Sequence, residues 1–129
     1  MKIGELAKRT GLSAHTIRYY ERIKLLPYAN RDASGQRDYD DTILTWIDFV
    51  GKMKSTGMPI QTMLKYAAYR HSGDVDGAKR RSILVRHRAE LRERVAQMQE
   101  NLLVLDHKIN GYTETMKRIK DDDNGSNET

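Results

Sequence analysis

Residues 3–22 read IGELAKRTGLSAHTIRYYER. The stretch predicts two short helices joined by a tight turn, because Gly11 turns easily after a helix and Ser13 is a favourable N-cap for the next one. In the second helix Ile17 faces inward. The opposite side carries His15, Arg18, Tyr19 and Arg22. A helix with such a face can reach phosphates and base edges in the major groove of DNA.

The next segment predicts a small β-hairpin. Residues 31–39 place Ser34 and Gly35 near its tip, and Arg31 and Arg37 flank the turn. At those positions the two arginines can hold the DNA backbone beside the groove. Apolar residues at helical spacing then predict two more helices before residue 70.

The second half of the chain predicts one long helix, from about residue 78 to residue 119, with an apolar seam on one side. Apolar residues recur there in two rows at seven-residue spacing, offset alternately by four and three, as in the a and d positions of a coiled coil. The predicted dimerisation residues are Leu91, Val95, Met98, Leu102, Leu105, Ile109, Tyr112 and Met116. Upstream the pattern is imperfect, because Arg88 occupies the a position before Val95. The seam favours pairing with a second copy over packing on the chain's own head.

Charge divides the chain into a basic head and a neutral second half. The 129 residues carry 23 Lys and Arg against 18 Asp and Glu, and the whole excess of +5 lies in the first 70 residues. We expect a DNA-binding head at 1–70, a linker at 71–77, a dimerisation helix at 78–119 and a disordered acidic tail at 120–129. Because no apolar run is long enough for a membrane span or a signal peptide, a cytoplasmic protein without a membrane partner is expected.

Several chemistries are excluded or disfavoured by the residues present. The chain has no cysteine, which excludes disulfides, thiolate metal sites and thiol nucleophiles. Its four histidines are too dispersed for a local ligand set, so no metal site is predicted, although one shared between chains stays open. There is no glycine-rich phosphate loop and no nucleophile–base set. We therefore expect neither an enzyme nor a cofactor.

Four segments carry a resemblance to a known family. They are Ile3-Gly4-Glu5-Leu6-Ala7, Gly11-Leu12-Ser13, Thr16-Ile17-Arg18-Tyr19-Tyr20-Glu21 and Arg31 with Arg37-Asp38-Tyr39. With them, residues 2 to about 69 resemble MerR-type transcriptional regulators. The resemblance implies a mainly α-helical fold, with a winged helix–turn–helix head and an antiparallel coiled coil that forms a homodimer. Such dimers bind near-palindromic double-stranded promoter DNA and distort it for RNA polymerase.

The resemblance also implies individual DNA contacts. On matching positions it points to Arg18, Tyr19, Tyr20, Arg37 and Lys54. These residues are combined with those of the α-helical face and the hairpin described above. The predicted DNA-binding residues are then His15, Thr16, Arg18, Tyr19, Tyr20, Arg22, Arg31, Arg37, Tyr39 and Lys54. Two positions depart from the family pattern: Gln36 replaces a frequent aromatic residue before the hairpin arginine, and Lys24 replaces a frequent glycine.

The signal to which the protein responds is less defined. The chain is most similar to the short, aldehyde-responsive or general stress branch, without the usual reactive cysteine. A small effector is expected to act at the head–coil junction, through Tyr66, Tyr69, Arg70 and His71; alternatively, these side chains pack the head on the partner's coil. A coiled-coil adaptor with a basic head is a second function class. It explains the coil and the charge but not the outward arginine and tyrosine face.

Overall fold

The computed structural model describes residues 1–27 and 29–126. Its elements are α1 (Ile3–Thr10), α2 (Ala14–Arg22), β1 (Asn30–Arg31), β2 (Arg37–Asp38), α3 (Thr42–Ser55), α4 (Ile60–His71) and α5 (Ala78–Ser126). The two strands form one antiparallel hairpin, in which Arg31 pairs with Arg37. The predicted fold class, mainly helical with a small wing and a long final helix, is confirmed.

The chain forms two compact units, Met1–His87 and a second that begins at Arg88. The α1–α2 turn of the first unit forms as its sequence predicts. Gly11 ends α1 in the left-handed conformation, with φ of 74°. The Ser13 hydroxyl caps α2 by accepting a hydrogen bond of 3.0 Å from the Thr16 N–H.

The core of the first unit lies where its four short helices meet. Leu6 of α1 and Ile17 of α2 are fully buried, and Leu25 and Leu26 follow them into the interior. The Trp46 side chain of α3 lies in this core and donates its indole N–H to the Leu25 carbonyl oxygen at 2.9 Å. Because a buried indole N–H needs an acceptor, this bond fixes α3 against the segment that follows α2.

The start of α5 belongs to the first unit. Ile83 and Leu84 pack against its core, and His87 is buried. The His87 ring nitrogen Nε2 lies 2.8 Å from the Thr56 hydroxyl oxygen, so the two polar groups satisfy each other. The linker before α5 is ordered by Asp74, whose carboxylate accepts hydrogen bonds from the backbone N–H groups of Lys79 and Arg80.

The second unit consists of the remainder of α5, and its apolar seam is uncovered. Leu102, Leu105, Ile109 and Tyr112 are each more than half exposed. Among the described residues no helix is both long enough and apolar enough to cross a membrane.

Helix α5 continues past residue 119, where the sequence predicts its end. Residues 120–126, placed in a disordered tail, extend α5, and residues 127–129 lie outside the described part of the chain. Once a helix is nucleated, each added residue gains one backbone hydrogen bond. Backbone hydrogen bonding therefore continues α5 through the polar residues 120–126.

The backbone conformation of Lys24 shows why glycine is frequent at this position in the family. It adopts φ of 68°, which makes it the one described residue other than glycine with a positive φ. The conformation turns the chain from α2 toward Leu25. A side chain with a Cβ atom is disfavoured there by about 1–2 kcal/mol, and glycine is not.

We predict that Lys24→Gly raises the free energy of unfolding by about 0.5–1 kcal/mol, since the relief of strain exceeds the added flexibility of the unfolded chain. Lys65→Gly is the matched control, because Lys65 is exposed within α4. It should lower the free energy of unfolding by about 1 kcal/mol. Urea titration followed by circular dichroism at one protein concentration measures both. Equal destabilisation by the two variants would contradict the strain at Lys24.

Candidate nucleic-acid interface

The polar face of α2 is open to solvent. His15, Arg18, Tyr19 and Arg22 are all exposed, and the Arg22 guanidinium lies 5.9 Å from the centre of the Tyr19 ring. Ile17, on the other side of the helix, is fully buried. The helix is therefore fixed by one face and presents the opposite face, with its cationic and aromatic groups, outward.

Two further α2 residues of the predicted set are only partly accessible. The Thr16 hydroxyl accepts a hydrogen bond of 2.9 Å from the Ser13 hydroxyl, so it takes part in the helix cap. The Tyr20 ring is half-buried and lies 6.1 Å from the Tyr19 ring. Tyr20 also lines a groove of about 550 Å³ between α1, α2 and α3.

Lys54 lies at the end of α3 on the rim of this groove. Arg9 and Lys52 stand on the same rim. Lys52 is paired with Asp48 at 2.9 Å, whereas Lys54 has no ion pair among the described residues. Lys54 therefore presents a free ammonium group beside α2.

The tip of the hairpin is tied down by Asp32. Its carboxylate accepts hydrogen bonds of 3.0 Å from the backbone N–H groups of both Ser34 and Gln36, and it also pairs with the Lys2 ammonium. The bond from Lys2, followed by that from the Ser34 hydroxyl, holds the pKa of Asp32 far below its usual range. Arg31 donates to the Gly35 carbonyl oxygen at 3.2 Å. Gln36, the second departure from the family pattern, is exposed there and leaves the turn intact.

A buried carboxylate joins α2 to the hairpin. Glu21 is only 3% exposed, and its two oxygens accept hydrogen bonds from the Arg37 Nε–H at 3.0 Å and the Tyr39 hydroxyl at 2.5 Å. Burial raises the pKa of the Tyr39 hydroxyl well above its usual range, and the bond to Glu21 adds to the effect. The tyrosine therefore stays protonated as the donor. This cluster of three side chains holds α2 and the hairpin together.

This geometry corrects the prediction that Tyr39 contacts DNA. Tyr39 is 3% exposed, and its hydroxyl is already bonded to Glu21. Arg37 remains partly accessible, but its Nε–H is used within the protein. The sequence contained a signal for Glu21: it stands four residues after Ile17, so it falls on the inward face of α2, where a carboxylate needs donors.

The residues predicted to form an effector site do not converge on one pocket. Tyr66 stacks on Trp46 with ring centres 5.7 Å apart, and the Arg70 guanidinium lies 4.4 Å from the centre of the same indole. Tyr69 instead contacts the Lys79 ammonium, and His71 is exposed at the end of α4. The cavity at the Trp46 cluster measures about 10 Å³, which is at most the volume of one water molecule. In the described part of the chain, no three histidine or acidic side chains are grouped to hold a metal ion.

The chain is similar in sequence to transcriptional regulators. Residues 2–39 match the family model described as MerR family regulatory protein. The HTH-type transcriptional regulator AdhR of Bacillus subtilis is 40% identical over 93 residues, which is 72% of this chain and 66% of AdhR. Heavy metal-dependent transcription regulator 2 of Rhizobium meliloti is 31% identical, over 83% of this chain and 73% of its own length. The family and these relatives are transcriptional regulators, not enzymes.

Two crystal structures show the same fold. A MerR family transcriptional regulator from Listeria monocytogenes superimposes with a TM-score of 0.84 at 37% identity, over 94% of this chain and 95% of the other. HiNmlR, described as a MerR family regulator lacking the sensor domain and bound to promoter DNA, gives a TM-score of 0.74 at 28% identity. That match covers 88% of this chain and 90% of HiNmlR.

We predict that Glu21→Gln lowers the free energy of unfolding by about 3 kcal/mol, because it weakens both buried bonds and leaves Arg37 without its anion. Tyr39→Phe should cost about 1–2 kcal/mol, the loss of one hydrogen bond to a buried charge. Glu5→Gln is the control, since Glu5 makes an exposed ion pair with Arg9 and should change stability by less than about 0.5 kcal/mol. Denaturant unfolding measures all three. If Glu21→Gln were as mild as Glu5→Gln, the cluster would not hold the wing.

Proposed function

Since the chain belongs to the MerR family of regulatory proteins, we propose that it regulates transcription by binding promoter DNA through residues 1–70. The observation that carries the proposal is the outward face of α2, fixed to the wing by the Glu21 cluster. An exposed helix with arginines and aromatic rings, next to a basic hairpin, has the chemistry needed to enter the major groove and contact the flanking phosphates.

The side chains proposed to contact DNA are those exposed to solvent on α2, the hairpin and the end of α3. His15, Arg18, Tyr19 and Arg22 approach the base edges and nearby phosphates, because they are the exposed residues of α2. Arg31, Arg37 and Lys54 hold the backbone. Thr16 and Tyr20 shape the helix and the groove beside it, and Tyr39 is a positioning residue for the wing.

We infer that the regulator is a homodimer joined through the second unit. The seam residues from Val95 to Met116 are exposed in the single chain, and a second copy of the same helix is the partner that matches their spacing. Two identical heads related by a two-fold axis bind two related half-sites, so the operator is near-palindromic. By distorting this DNA, the dimer changes how RNA polymerase meets the promoter, and it does so in the cytoplasm.

DNA binding is tested with a duplex that carries the protein's own promoter region, by fluorescence anisotropy over a range of salt concentrations. The affinity should fall steeply with salt, because about six or more phosphates are contacted across a dimer. Arg18→Ala should weaken binding at least about tenfold and reduce discrimination against a scrambled duplex. Arg118→Ala removes the same charge from the second unit and should change the affinity by less than twofold. Equal loss with both variants, or no binding to the duplex, would favour the adaptor function.

The dimer is tested by comparing two neighbouring leucines. Leu102 is in the seam and Leu103 is not, although both are more than half exposed in the single chain. We predict that Leu102→Glu gives monomers in sedimentation at micromolar concentration and that Leu103→Glu remains dimeric. Monomeric wild-type protein would rule out the seam as an interface.

A further inference from the structure

We propose that the groove between α1, α2 and α3 binds a small amphiphilic carboxylate, whose apolar body fills the groove and whose charged end pairs with the Lys54 ammonium. This α1–α3 groove lies wholly within the first unit, since residues 9–55 supply its lining. The existence of the site is independent of the proposed function, whereas its effect on DNA binding rests on that function.

The floor of the α1–α3 groove is apolar. Its lining includes Leu26, Ile47 and Val50, which are buried, and Leu12 and Leu44, which are half-buried. Its volume of about 550 Å³ falls within the range of about 300–1,000 Å³ that is usual for pockets that hold small molecules. A cation is enough to hold a phosphate of DNA, so the proposed DNA contacts do not account for an apolar floor of this size.

Gly51 keeps the middle of the α1–α3 groove open. It lies in the interior of α3, where glycine is less favourable than alanine because it loses more conformational freedom on folding. Its φ is not in the left-handed region, and an added Cβ atom would come within 4 Å of nothing beyond its own neighbours in the helix. Neither backbone conformation nor packing in the described part of the chain therefore requires glycine here. A larger side chain would instead take space from the groove.

Two hydroxyl groups that line the groove are already used within the protein. The Thr10 hydroxyl donates to the Leu6 carbonyl oxygen at 2.8 Å, and the Ser55 hydroxyl donates to the Lys52 carbonyl oxygen at 2.7 Å. A hydroxyl has one hydrogen to donate, so neither group is a donor for an anion. Because hydrogen bonds from charged donors are the stronger ones, the charges on the rim decide which ligand binds.

The rim of the groove is positively charged. It carries Arg9, Lys52 and Lys54 against one carboxylate, that of Asp48. Asp48 is paired with Lys52 at 2.9 Å, and Arg9 makes an ion pair of 2.9 Å within α1. In the described part of the chain Lys54 has no such pair, and it stands one helical turn beyond the glycine on the same side of α3. An apolar floor that ends at an ammonium group is complementary to an apolar body that ends in a carboxylate.

A bound carboxylate would act on DNA binding through Lys54. The same ammonium group is proposed to hold a phosphate of DNA, and its pairing with a ligand withdraws it from the DNA backbone. The negative charge of the ligand also repels the phosphates beside it. Ligand and DNA therefore oppose each other, and by linkage each lowers the affinity of the protein for the other by the same factor. The carboxylate is thus expected to release the protein from its operator.

Octanoate is the probe, because it joins an apolar chain of medium length to a single carboxylate. Its binding to the full chain is measured by isothermal titration calorimetry in the absence of DNA. Octanol has the same chain without the charge, and acetate has the charge without the chain. Each should bind at least about tenfold more weakly than octanoate. Octanoate that does not bind, or octanol that binds equally well, would overturn the proposal.

Two matched pairs of variants locate the site. Gly51→Leu fills the groove and should lower the affinity for octanoate at least about tenfold. Gly111→Leu adds the same side chain at a glycine of α5 that also has open space around it, and it should change the affinity less than about twofold. Lys54→Gln should lower the affinity at least about fivefold, whereas Lys65→Gln removes the same charge from α4, outside the groove, and should not. Equal effects within either pair would overturn the site.

The coupling to DNA is measured by fluorescence anisotropy with the promoter duplex. Saturating octanoate should weaken binding of the wild-type protein at least about fivefold relative to acetate at the same concentration, which matches the ionic strength. It should leave binding by Gly51→Leu unchanged. Unchanged affinity of the wild-type protein would overturn the competition at Lys54. Wild-type protein that binds no duplex without octanoate would overturn the proposed function, and calorimetry without DNA would still decide whether the groove binds the carboxylate, so the two failures are distinguishable.

Discussion

The carboxylate of Glu21 is the constraint on which the first unit of the molecule depends. A buried anion is costly unless it is paired, and here the pairing groups come from the wing, sixteen and eighteen residues further along the chain. Because an unpaired Glu21 would be costly, its hydrogen bonds to Arg37 and Tyr39 hold the hairpin against α2. Each strand of this hairpin has only two residues. Such a hairpin is marginal by itself in water. The helix and the wing are held as one rigid surface because separating them exposes an unpaired charge.

The pattern of the sequence was enough to predict the elements but not all of the side-chain roles. Gly11 and Ser13 predicted the α1–α2 turn because their conformational and capping preferences are local. The heptads from Leu91 to Met116 predicted a helix with a seam because spacing alone defines a helical face. Tyr39 was misassigned for the opposite reason: whether a tyrosine beside a basic hairpin faces DNA or the interior depends on Glu21, which is distant in sequence.

Two other features depended on the three-dimensional arrangement. The left-handed conformation of Lys24 was signalled only by the glycine that is frequent at that position, since lysine has no preference for it. Tyr66 stacks on Trp46, and Arg70 lies against the same indole, so two of the four residues predicted to form an effector site belong to a packed aromatic cluster. In both cases the feature depends on tertiary contacts that spacing along the chain does not define. The extension of α5 past residue 119 shows that a polar composition does not by itself end a helix.

The exposed seam of α5 has a consequence for the life of the protein in the cell. A newly made chain carries a row of apolar side chains on a helix with no intramolecular cover, the kind of surface that chaperones and proteases recognise. In the proposed homodimer, pairing covers that surface by mass action, so the fraction of chains with an uncovered seam falls as the protein concentration rises. The proposed interface thereby also links protection of the chain to its own concentration.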